Sequence, residues 1–131
     1  FTNVKKLLSY NNEGKEKIFF NLFKKNKEII EDYREKIITI SDANELYYYC
    51  KFYCLLIIDS DNEEEYKRKI PIYLFREKNF LIEFYRKYTY KKKKSLLNLL
   101  SSTEKILRKE NNLSLISCLR FLLSIKKITT S

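Results

Sequence analysis

Cys50 and Cys54 lie four residues apart, a spacing that on a helix puts both thiols on one face. A metal centre there needs two further ligands, and only Cys118 is available in a chain with no His. The Cys-x-x-Cys spacing of zinc ribbons and dithiol redox motifs does not occur. With Tyr49, Phe52, Tyr53 and Leu55 around them, the two cysteines read as small buried hydrophobes, and no cofactor or metal is expected. An odd count of three without framework spacing favours a reducing, intracellular compartment, cytoplasm or nucleus. Export after processing is the alternative.

Acid–base chemistry without His would fall to paired carboxylates. The candidates are Glu31, Asp32 and Glu35, and the group Asp59, Asp61, Glu63, Glu64 and Glu65. Both groups sit where helix faces are solvated or helix starts are capped, so no catalytic role is expected. No nucleophile motif, phosphate-binding glycine loop or dinucleotide fingerprint occurs, and Asp59-Ser-Asp-Asn-Glu lacks the glycine and the later bidentate Glu of a calcium loop. The expected class is therefore not an enzyme.

The segment 67–94 carries the strongest feature. It holds Lys67, Arg68, Lys69, Arg76, Lys78, Arg86, Lys87, Lys91, Lys92, Lys93 and Lys94 against Glu77 and Glu83, interleaved with Tyr73, Phe75, Phe80, Phe84, Tyr85, Tyr88 and Tyr90. Clustered cations release counterions from a phosphate backbone, and aromatics such as Tyr88 and Tyr90 can stack on unpaired bases. The same pattern is also what a wet cationic face over an aromatic core would give, with Lys91 to Lys94 as an interhelical loop. An acidic protein segment or anionic lipid headgroups would suit the cations equally.

Charge distribution sharpens this feature more than total charge does. The chain has 131 residues, 27 Lys+Arg and 17 Asp+Glu, for a formal charge of +10. Phe, Tyr, Ile, Asn and Lys, all with AT-rich codons, supply 67 residues, whereas Gly, Ala, Arg and Pro supply 9. A base-composition bias of the gene thus accounts for much of the lysine. It does not account for the division: residues 1–65 hold 10 basic and 13 acidic side chains, and residues 66–131 hold 17 and 4.

Length and apolar content (44%) fit one folded domain over residues 1–131. A start at Phe1 with no Met anywhere suggests an excised or processed part of a larger protein. The longest apolar run, Leu46 to Ile58, has 13 residues interrupted by Lys51, too short to span a bilayer, which takes about 20.

Apolar residues recur at three- and four-residue spacing almost throughout, with one Gly and one Pro, so the elements that position these groups are expected to be helices. Thr2 is expected to cap a short first helix to about Tyr10, followed by a turn at Asn11–Gly14. One long helix covers about 15–39, with Phe19, Leu22, Phe23, Asn26, Ile30, Tyr33 and Ile37 inward and Lys24, Lys25, Lys27, Glu28, Glu31 and Asp32 outward. Asp42 and Glu45 form a capping box before Leu46–Ile58, read as a central helix buried on all faces, with a buried strand as the alternative. Ser60 and Glu63 cap a helix that ends before Pro71. Residues 72–90 form two short helices divided near Lys78-Asn79. A helix over 95–110 carries Leu96, Leu99, Leu100, Thr103, Ile106 and Leu107 on one face. Asn111-Asn112 serves as a left-handed cap, and a last helix spans about 113–127.

The tail, Ser95-Leu-Leu-Asn-Leu-Leu followed by Ser114-Leu-Ile-Ser-Cys-Leu-Arg-Phe-Leu-Leu, resembles a helix pair of armadillo- or HEAT-type proteins. The expected fold is all-α, a compact bundle or a short solenoid-like stack of six or seven helices. The expected function is a non-enzymatic interaction or scaffold module that docks a protein partner within a larger complex. The alternative is an RNA- or single-strand-binding domain using residues 67–94.

Overall fold

The computed structural model describes residues 15–130, and every element among them is helical. The expected first helix and the turn at Asn11–Gly14 lie outside these residues. Helix α1 covers 15–20 and a turn follows at 21–25. Then come α2 (Asn26–Lys36), α3 (Ile40–Ile58), α4 (Glu63–Lys69), a 3-10 segment (Ile72–Glu77), α5 (Lys78–Arg86), α6 (Tyr90–Lys109), a 3-10 turn (Asn111–Leu113) and α7 (Ser114–Thr130).

Local chemistry sets the boundaries. The long helix expected over 15–39 is broken, because Lys25 takes an extended conformation and Lys126 donates to the Lys24 carbonyl and, at 2.8 Å, to Asn26 Oδ1. Asn26 is exposed, and Ile29 replaces it in the buried stripe with Tyr33 and Ile37. The capping box of α3 lies three residues before the expected one. Asp42 N donates to Thr39 Oγ1 at 3.0 Å and Thr39 N donates to Asp42 Oδ2 at 3.1 Å. At α4 the cap is Asn62, whose Oδ1 accepts from Glu65 N at 2.8 Å. Ile70 is extended, as a residue before proline should be. No residue near Asn111 is left-handed; the chain turns there through the 3-10 segment instead.

The core lies where α3, α6 and α7 pack together, with α2 against α7 and the α4–α5 pair closing the side of α3. Buried Ala43, Leu46, Tyr47, Cys50, Tyr53, Cys54 and Ile57 repeat at helical spacing along α3. The strand alternative for Leu46–Ile58 is thereby excluded, but the helix is not buried all round, since Tyr48 and Phe52 are exposed. Phe19, Phe23, Phe80 and Phe84 form an aromatic cluster against Tyr53.

Tyrosine hydroxyls tie the helices pairwise. Tyr33 of α2 donates to the Leu115 carbonyl of α7, Tyr47 of α3 to that of Leu100 in α6 at 3.1 Å, and Tyr66 of α4 to that of Leu81 in α5 at 2.9 Å. A phenol thus brings a large apolar ring into the core while its one polar atom finds a carbonyl.

Candidate functional site

The basic segment is spread over the ends of three helices, and most of its cations have a local partner. Arg86 grips Glu63 with two bonds, 2.6 Å and 3.2 Å, and Lys67 lies 3.3 Å from the same carboxylate. Arg86 first, then Lys67, hold the Glu63 carboxyl down at about 2. Lys69 pairs with Glu65 at 3.0 Å and donates to the Asp59 carbonyl at 2.8 Å. Lys78 and Lys87 sit over the rings of Phe75 and Phe23, 4.9 Å and 4.8 Å from the centroids.

Lys91 to Lys94 are not a loop. They form the first turn of α6, which Thr89 caps through Lys92 N at 3.3 Å. Four ammonium groups at a helix N-terminus oppose its dipole, and the antiparallel neighbours relieve this. Lys93 donates to the Ser60 carbonyl just beyond α3, at 2.9 Å, and Lys92 to the Thr129 carbonyl at the end of α7, at 3.3 Å. Lys93 also lies over Tyr85, and Lys94 over Tyr90. Arg68, Arg76 and Lys91 are exposed and make no ion pair among the described residues.

The aromatics of the segment divide between roles. Tyr88 is 7% exposed and packs edge-on against Phe84, and its hydroxyl has no hydrogen-bond partner among the described residues. Phe84 is buried, and Tyr85 stacks on Tyr66 at 4.6 Å. Tyr90, by contrast, is 79% exposed, and Tyr73 and Phe75 are exposed as well.

A second site escaped the sequence. Ile40, Ser41, Asn44, Glu45, Tyr48, Tyr49, Phe52, Tyr53 and Tyr73 line an open groove of about 580 Å³. Helix α1 is pinned to its edge: Lys15 pairs with Asp42 at 2.9 Å and Glu45 at 2.6 Å, and the Tyr53 hydroxyl donates to Glu16 at 3.0 Å. Burial would raise the Asp42 carboxyl, but Lys15 and the Thr39 and Ile38 amides outweigh it and hold it at about 2. Glu16 moves the other way, upward, because burial and the like charge of Glu77 outweigh the Tyr53 hydrogen bond.

The three cysteines are buried and reduced, with thiols raised by desolvation, Cys118 to about 12. Among the described residues no group of His, Cys, Asp and Glu is placed to hold a metal ion, and no helix is long and apolar enough to cross a membrane. No protein-family model, no curated protein and no solved structure matches this chain.

Proposed function

We propose that this chain is a non-enzymatic α-helical protein-interaction module of a larger complex, docking its partner in the groove beside α3. The observation that carries this reading is the exposure of Tyr48 and Phe52, 52% and 39%, on the helix that otherwise supplies the centre of the core. Aromatic surface left in water beside an open groove is characteristic of a docking site. The solenoid-like arrangement belongs to the same reading, with the antiparallel α6–α7 pair as its unit. Affinity capture of the intact protein from its own cells tests it. A protein partner retained after nuclease treatment, and lost with Tyr48→Ser/Phe52→Ser, supports docking; recovery of nucleic acid alone contradicts it.

A second reading, binding of RNA or another single strand by residues 67–94, rests on exposed Tyr90 next to Lys91 and Lys94 and on exposed Arg68 and Arg76, which make no ion pair among the described residues. Phosphate binding would fall steeply between about 50 and about 200 mM salt, whereas an apolar groove barely responds. Loss of RNA binding in Arg76→Ser/Lys91→Ser/Tyr90→Ser supports this second reading, and unchanged binding removes it.

A further inference from the structure

The groove runs against the charge of the molecule as a whole. The protein carries +10, yet Glu45 lines the groove, Glu16 and Asp42 are tied to its edge through Tyr53 and Lys15, and Glu77 follows Tyr73 of the lining by four residues on the same 3-10 segment; Lys15 occupies only Asp42 and one oxygen of Glu45. Lys51, close to Tyr48, is taken by Glu104. Glu16 and Glu77 make no ion pair among the described residues. Tyr48, Tyr49, Phe52, Tyr53 and Tyr73 make the lining largely aromatic, and aromatic rings attract cations as well as apolar groups.

Resting on the docking reading above, we propose that the groove takes a cationic amphipathic segment of a partner protein. Its apolar side chains lie against Tyr48 and Phe52, and its Lys or Arg side chains reach Glu16, Glu45 and Glu77. The net positive charge of the molecule works against such a segment at the basic helix ends, so the carboxylates at the groove help select its position. An anionic segment gains nothing there and is drawn to the basic helix ends instead.

The test uses the full chain and three labelled peptides of one amphipathic Leu/Tyr pattern, carrying Lys, Gln or Glu at the polar positions, read by fluorescence anisotropy. The Lys peptide is expected to bind about tenfold more tightly than the Gln peptide, and Glu16→Gln/Glu77→Gln to weaken it about fivefold, the scale of one or two partly exposed ion pairs. Phe52→Ser should weaken the Lys and Gln peptides alike, with far-UV circular dichroism showing unchanged helix content. Equal binding of Lys and Gln peptides, still dependent on Phe52, overturns the cationic preference and leaves the docking reading standing. Absence of any Phe52-dependent binding overturns both. Dimerisation of the chain that Phe52→Ser abolishes assigns the groove to a second copy and also overturns the proposal.

Discussion

Lys93 Nζ donates to the Ser60 carbonyl at 2.9 Å across 33 residues of sequence. An ammonium group that would be repelled by the start of its own helix thereby closes the end of another. Lys92 does the same for α7 at Thr129. Lys93→Ser should lower stability by about 1 kcal/mol, from a charged hydrogen bond and a ring contact. Lys91→Ser, at an exposed side chain, should change the urea midpoint little. Equal losses at both positions would contradict this division of labour.

Tyr47→Phe removes the buried bond to the Leu100 carbonyl and keeps the ring. A loss of about 1 kcal/mol is expected in chemical unfolding, against about 4 kcal/mol for Tyr47→Ala, which also leaves a cavity. A Phe variant as damaged as the Ala variant would mean that the ring has moved.

The Asp42 carboxyl is held at about 2, below its ordinary 3.8. A depressed folded-state value means that the carboxylate stabilises the fold above pH 4, and that this contribution is lost as pH falls towards 2. Asp42→Asn, which weakens the Thr39 cap and the Lys15 pair, should cost about 1 kcal/mol at pH 7. The gap to the parent should narrow as pH falls from 4 to 2. A gap independent of pH would show that the charge of Asp42 plays no part.

Cys50, Cys54 and Cys118 are buried with raised thiols. Thiolate is the reactive form, so iodoacetamide at pH 8 should leave the native chain unmodified. In denaturant, mass spectrometry should find all three alkylated. Rapid modification of any one without denaturant would place it outside the core.

The helical fold was legible because helical spacing of the inward residues survives on the longer helices, as in Leu96, Leu100, Thr103 and Leu107 of α6. The division of residues 72–90 near Lys78 was legible for the same reason. The break between α1 and α2 was not, since Leu22 and Phe23 continue the apolar rhythm through a turn held by Lys126 from 100 residues away. The lysine run read as a loop because four cations interrupt the pattern, while the carbonyls that receive two of them lie in distant sequence. Tyr48 and Phe52 gave no signal, because exposure is invisible on a helix that is apolar on every side. Glu16 reaches the groove edge only through the tertiary fold, which brings it to Tyr53, 37 residues away.

The most direct measurement compares affinity capture by the parent chain, Tyr48→Ser/Phe52→Ser and Arg76→Ser/Lys91→Ser after nuclease treatment. A docking groove predicts a protein partner held by the parent and by the basic-segment variant and lost from the groove variant. Capture that nuclease abolishes, or that only the basic-segment variant loses, would contradict it.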